Sequence, residues 1–497
     1  MSAATKPAAA ATTLSLQNVV LTEIQSAANQ AAVANHMPNL LPVNEASLGD
    51  LPWFWQNGTN FNKLSYEWIN NIFVHSNDGN VGTSGEPLTT AYLNVLDDIT
   101  FVLDAADQAA VNNANLKAAV TANTLISDWT TTQGPFPPNV TTQAAELAFI
   151  TSQVVTSWGT PGLLLGTFRN STNPTALLPN IPLGAEQIVA DLMEYLNVTS
   201  PVENIQSAVL SSNNQLKQTK NNVDPVNEPA TATAGFMEIV DDKGNMQVVP
   251  EITIVESTAQ ILNALLPSSG GTSFSAKYTA TAQNSSTVQV TSAAIGAVGV
   301  GAPDLFLAFK SESSSFNMFS FASSLTSCEV TLLFNGVTTF TPTYSPYNVS
   351  TGFGWWNPDP IEQAANPAPN QSGYNFTPTP PFNFGVNGNF GVISRLLISQ
   401  QPIISLTYST SDFAAFQEVF QQDSKWGITF LGIGLGGGSS SYYQAQTSQD
   451  SSTGTVTLTM SPVGITTPIT PTDQLAYVVG AQILWPGAST SPNQPGI

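Results

Sequence analysis

Residues 427–443 read GITFLGIGLGGGSSSYY, in which Gly432, Gly434 and Gly437 stand in the G-x-G-x-x-G spacing that can cradle a dinucleotide pyrophosphate. That chemistry needs a strand before the glycines and a helix after them, because the helix N-terminus supplies the N–H groups and the positive dipole end. The strand is there, since Trp426, Ile428 and Phe430 alternate with Gly427 and Thr429. The helix is not. SSSYYQAQTSQDSSTG follows with no helical apolar period, and Asp450 stands in this Ser/Thr/Gln stretch rather than at the end of a second apolar strand. No nucleotide cofactor is expected. A bend or bulge built from small residues accounts for the glycines.

Acid–base chemistry has few candidates. The chain holds two histidines, His36 and His75, each placed by the pattern at the end of a helical run, where a dipole partner or cap is the simpler role. No G-x-S-x-G nucleophile elbow accompanies them. Asp97, Asp98, Asp104 and Asp107 form the densest carboxylate group, on what reads as one helix. One helix supplies only part of a cation's oxygen shell, so a solvated face is expected and no metal site. Cys328 is the single cysteine, within the apolar strand pattern SCEVTLLF, which excludes an intramolecular disulfide and favours an inert buried thiol.

Two aromatic clusters remain. Trp53, Phe54 and Trp55 lie in LPWFWQNGTNF, and Trp355 and Trp356 in GFGWWNPDP, both in Pro/Gly/Asn surroundings. Loop tryptophans can offer a flat stacking surface to a carbohydrate or a partner protein. They can equally plug a core beneath the loop.

The elements that would position these residues change type along the chain. Apolar residues at three and four spacings predict helices over 16–37, 90–111, 142–158, 185–196 and 202–218. Two β-branched runs within 237–255, around Asp242, Lys243 and Gly244, predict a hairpin, and 257–266 a last helix. Beyond PSSGG, strand patterns dominate. Asn335-Gly336 inside 328–344 predicts a hairpin turn, VISRLLISQQPIISLTYS two strands, and 411–423 one helix. Residues 345–390 have no period and read as a long loop or surface subdomain. The expected fold is therefore α+β. A flexible tail over 1–13 leads into a helical domain over 14–266 with its one hairpin, and a linker over 267–271 leads into an antiparallel sandwich or barrel over 272–490 with one packed helix.

Composition narrows the function. Only 9% of residues are charged, against about 25% in an average soluble protein. The exterior must be largely Ser, Thr, Asn and Gln, without the lysines that guard sheet edges and are depleted in interfaces. The 11 basic residues are scattered among 33 acidic ones, so nucleic acid and anionic membrane surfaces are poor partners. Neither a signal peptide nor an apolar run long enough for a transmembrane helix is evident, which suits a cytoplasmic protein or one released without a conventional signal. The leading expectation is a non-enzymatic, self-associating structural or surface-binding protein that forms homo-oligomers through its β half. That half carries net −6, against net −16 for residues 1–265. A pore-forming or membrane-inserting protein is the alternative, with 293–302, 430–437 and 455–460 as inserting segments. An unrecognised hydrolase built on His75 or the Asp97–Asp107 run is the third.

Overall fold

The fold is that of a computed structural model, which describes residues 26–27, 30, 40–41, 43, 51–52, 61–75, 81–157, 162–171, 173–227, 229, 231–240, 245–265, 272–281, 307–309, 327–400, 402–409, 428–430, 433–435, 443–462 and 475–488. Along the chain come β1 (Leu51–Pro52), β2 (Phe61–Asn62), α1 (Lys63–Ile69), β3 (Asn71–His75), β4 (Val81–Pro87) and α2 (Leu88–Asp97). Next are β5 (Ile99–Val102), α3 (Ala105–Gln133), α4 (Gln143–Ser152), β6 (Val154–Val155), β7 (Leu163–Leu164), α5 (Thr167–Asn170) and α6 (Glu186–Val223). There follow β8 (Phe236–Val240), β9 (Met246–Pro250), β10 (Ile252–Ile254), α7 (Thr258–Leu265), β11 (Thr272–Thr281), β12 (Leu307–Phe309), β13 (Ser327–Phe340) and β14 (Pro342–Tyr344). The chain closes with α8 (Asp359–Ala365), β15 (Gly373–Phe376), β16 (Val392–Ser399), β17 (Ile403–Ser409), β18 (Ile428–Phe430), β19 (Ile433–Leu435), β20 (Tyr443–Asp450), β21 (Thr455–Pro462) and β22 (Leu475–Leu484). The protein is thus α+β with antiparallel sheets, and no closed barrel forms among the described residues. No described helix is long and apolar enough to cross a membrane.

Two compact units emerge, one of 1–98, 218–366 and 378–497, the other of 99–217 and 367–377. The first is organised by β13. On one side it pairs antiparallel with β11 and on the other with β17, which pairs with β21, which pairs with β20, the last strand of this run among the described residues. Strands β16 and β17 lie in one line along β13, since Thr338↔Ile398 and Leu333↔Ile403 keep a single register. Strand β22 then pairs with β16, and β1 with β22. Period-two alternation creates the core here: Val330, Leu332, Ile404, Leu406, Tyr408, Val456, Leu458 and Met460 are buried on one face.

In the second unit a helical core joins Leu125 and Trp129 of α3, Ile150 of α4, Phe168 of α5 and Ile188, Val189 and Leu192 of α6. Asp104 caps α3 by accepting from the Asp107 N–H (2.7 Å), and Thr142 caps α4 by accepting from the Ala145 N–H (3.2 Å).

Several expected elements differ. The helix over 90–111 is interrupted, because Ile99–Val102, a run with β-branched ends, pairs antiparallel with β15 and separates α2 from α3. The helices over 185–196 and 202–218 are one, α6, with Pro201 inside it. Proline forfeits one i→i−4 bond, and buried packing on both sides of it, Leu192 and Val202, offsets the loss. The run ending at His75 is helical only to Ile69. Asn71 Nδ2 donates to the Glu67 carbonyl (2.6 Å) at the helix end, and β3 begins. Residues 142–158 are helical to Ser152 and then extended. The hairpin expected within 237–255 is β8 paired with β9, followed by β10, and the last helix is α7. VISRLLISQQPIISLTYS does give two strands, β16 and β17.

Asn335-Gly336 is not a hairpin turn but the middle of β13. The β11 register shifts between Thr272↔Val337 and Phe274↔Phe334, so two residues of β13 oppose one of β11, a bulge that places Gly336 at φ +64°. A Cβ there would stand 2.7 Å from the Ala264 carbonyl oxygen and 2.9 Å from Leu265 Cα, so glycine is what lets the end of α7 lie against the strand. Nor are residues 345–390 without structure, since they hold α8 and β15. The tail over 1–13, the linker over 267–271, the expected helix over 411–423 and the inserting segment 293–302 lie outside the described residues, as does nearly all of 16–37.

Candidate functional site

Trp53, Phe54 and Trp55 lie outside the described residues. Trp355 and Trp356 are buried, 0% and 4% exposed, and their rings meet Tyr92 and Tyr344 at centroid separations of 4.9–6.0 Å. Trp355 Nε1 donates to the Glu251 carbonyl (2.9 Å), and Tyr92 Oη donates to the Asn357 carbonyl (2.7 Å) while accepting from the Asn357 N–H (3.0 Å). Gly354, at φ +83°, lets the loop touch Pro346, whose carbonyl oxygen would stand 2.0 Å from a Cβ. Asn222 Nδ2 holds the same loop through the Gly352 and Gly354 carbonyls (2.8 and 2.7 Å). These ring faces are spent inside the protein, as a core plug.

The carboxylates of the Asp97–Asp107 run are dispersed. Asp97 ends α2 and pairs with Lys220 Nζ (3.1 Å), and Asp98 follows as that helix's C-cap. Asp104 caps α3, and Asp107 Oδ2 accepts from Ser372 Oγ (2.6 Å). His75 ends a strand, and burial lowers its pKa, which keeps the ring neutral at pH 7. The His75 backbone N–H donates to the Gly388 carbonyl (3.1 Å). His36 lies outside the described residues. Of the glycine motif, Gly434 lies within β19, paired with Thr429 of β18 in an antiparallel hairpin rather than in a strand-to-helix turn. Among the described residues no three His, Cys, Asp or Glu side chains converge as a metal site would require. A shallow depression of about 400 Å³ in the second unit is lined by Leu164, Gly166, Thr167, Ser171 and Leu177, and none of these described lining residues is titratable. Its Thr167 hydroxyl already donates to the Leu164 carbonyl.

The outward face of the large sheet is more distinctive. Behind the buried row, the register aligns Thr331, Ser405 and Thr459 across three strands, and Glu329, Thr407 and Thr457 in the next row. Neighbouring hydroxyls meet at 3.4 Å (Ser405 and Thr459) and 3.0 Å (Thr407 and Thr457). Lys277 Nζ and Glu329 Oε1 pair at 2.8 Å towards the β11 edge. At the opposite edge, β20 reads YQAQTSQD, and among the described residues it pairs only with β21. Gln446, Ser448, Gln449 and Asp450 are exposed. Its single charge sits at the hairpin tip, where Asp450 Oδ1 accepts from the Ser452 hydroxyl (2.6 Å) and N–H (2.9 Å). Those bonds hold the carboxyl below its usual range and keep it ionised.

Sequence reasoning missed this edge because a strand with neither face strongly apolar has no period-two signal. The available cue was the turn at Asp450–Gly454, where Gly454 takes φ +66°. A buried carboxyl, Asp191, was missed as well. It lies three residues after Ile188 and next to Leu192, on the apolar side of α6, and is 6% exposed. Its Oδ1 accepts from Gln187 Nε2 (2.9 Å), while Oδ2 has no donor among the described residues.

No protein-family model matches this chain, no functionally curated protein matches it, and no solved structure resembles it at a significant level.

Proposed function

We propose that this is a non-enzymatic, self-associating protein whose antiparallel sheet carries the contact between copies. The observation behind this reading is β20, an edge strand with seven uncharged residues before its terminal Asp450 and hydrogen-bond partners on one side only among the described residues. Edge strands in proteins that remain monomeric are usually guarded by lysine, proline or a covering element. Here the main-chain groups on the side unpaired among the described residues are the available adhesive, and the hydroxyl-rich face behind them adds little repulsion. Light scattering on the intact 52.3 kDa chain tests the reading. A mass above the monomer at tens of micromolar, reduced by Gln446→Lys with Ser448→Lys, supports it. A monomer at that concentration overturns it.

The membrane-inserting reading has its own support. Strand β12 lies in the connection between β11 and β13, β18 and β19 in the connection between β17 and β20, and β12 pairs with β18, so the two glycine-rich connections meet. The 14 residues of β13 also exceed the roughly 9–11 that a tilted membrane strand requires. Dye release from phosphatidylcholine vesicles separates the two, since an assembling protein without membrane activity leaves them intact.

A further inference from the structure

We infer that the association is closed: β20 pairs antiparallel with β20 of a second copy about a two-fold axis through Gln446, giving a dimer rather than a ring or fibre. This rests on the self-association proposed above and specifies its geometry.

Strand direction decides between the modes. Every pairing in the run β11, β13, β17, β21, β20 is antiparallel, so β11 and β20, the first and fifth strands, point the same way. Head-to-tail joining of β20 to the β11 of another copy that extended the sheet would therefore be parallel, the slightly weaker ladder. Joining β20 to its own copy about an axis normal to the sheet is antiparallel, like every other pairing in that run. Joining β11 to its own copy is also antiparallel, but near its centre lies Lys277, which meets Glu329 at 2.8 Å and would approach its symmetry mate.

Register follows from the faces. An axis normal to the sheet keeps each face on its own side, so residues directly opposite must share a face and the two numbers in each pair must sum to an even value. Centring on Gln446 satisfies this. It opposes Gln444 to Ser448 and Tyr443 to Gln449 of the second copy, so that all seven paired positions, 443–449, are uncharged. The two Asp450 carboxylates then stand about 27 Å apart along the strands, eight residues at about 3.4 Å each. That is more than three Debye lengths of about 8 Å at physiological ionic strength, so their repulsion is screened. A parallel pairing in register would instead set them about 5 Å apart.

The test is disulfide trapping in the full chain with Cys328→Ser as background. In Gln446→Cys the two Cα atoms would be about 4.5–5.5 Å apart, within disulfide reach. Mild oxidation should give a covalent dimer, with Gln446→Cys trapped several-fold faster than Ser448→Cys, and light scattering of the parent chain should level off at the dimer mass. Gln446→Lys should weaken the dimer about tenfold by opposing like charges across the axis. Circular dichroism confirms that each exposed-edge variant is folded. Association that Gln446→Lys weakens, but with no trapping at 446 or with a scattering mass that keeps growing past the dimer, overturns the two-fold geometry while leaving edge assembly standing. A monomer by light scattering removes the proposed function itself.

Discussion

Asp191 shows how one side chain can set a pH dependence. Burial first, then the neighbouring Asp128 carboxyl, raises its pKa, and the Gln187 hydrogen bond offsets only part of this. A carboxyl whose folded pKa lies above the unfolded value of about 3.9 destabilises the folded state once the unfolded chain ionises, and the loss is complete only above the folded pKa. Its contribution is therefore best in acid and declines as pH rises from about 4. Hydrogen exchange of α3 and α6 should show stronger protection at pH 4 than at pH 7.5. Asp191→Asn should raise protection at pH 7.5 and flatten the profile; an unchanged profile would mean the carboxyl is not the titrating group. Asp450 works in the opposite sense, because hydrogen bonds lower its pKa and the turn they hold is lost as pH falls. At Trp355 volume dominates. The ring is fully buried against Tyr92, Tyr344 and Trp356, so Trp355→Ala should cost about 3–5 kcal/mol in chemical denaturation, and Trp355→Phe visibly less.

Among the elements, β13 is the one on which the first unit depends, and its bulge joins strand to helix. Gly336→Ala would force a non-glycine residue to φ +64° and press its Cβ into the end of α7. We expect a loss of about 1–3 kcal/mol from the backbone conformation alone, with exchange increased first over 258–265. A variant as stable as the parent would show that the bulge relaxes freely. Glu256 is a second clip, at the end of the same strand: its carboxylate accepts from the Thr339 hydroxyl (2.6 Å) and, just past β13, from the Thr341 N–H (2.7 Å) and hydroxyl (2.8 Å). Glu256→Ala leaves those donors without their acceptor and should cost about 1–3 kcal/mol, read as a lower denaturation midpoint.

At the scale of the molecule, charge would govern the proposed meeting of copies. The chain carries net −22, but β11, β13, β17, β21 and β20 together hold only Lys277, Glu329 and Asp450. The proposed assembly through this sheet would work against a diffuse repulsion and gain no ion pairs. Raising salt should therefore preserve or strengthen association, the reverse of an electrostatic interface. Light scattering at 20 mM and 500 mM NaCl reads this directly, and dissociation at high salt would point to a different surface.

The sequence by itself determined the α+β class, the charge-poor exterior and the strand character of 392–409, because these follow from residue counts and from periods of two and 3.6, which are local properties. It also marked Asn335-Gly336 for a hairpin turn, whose two positions would both take positive φ, and of the two only Gly336 does. Whether such a residue turns the chain or bulges a strand depends on what lies beside it, and α7 comes from outside any local window. The same limit governs the aromatic pair: Trp355 and Trp356 in a Pro/Gly/Asn stretch fit a displayed platform and a core plug equally, and only Tyr92 and Tyr344 arriving from elsewhere in the chain bury them. The β20 edge was invisible for a related reason. A polar strand has no periodicity of its own, and the ladder with β21, its one partner strand among the described residues, gives it its conformation.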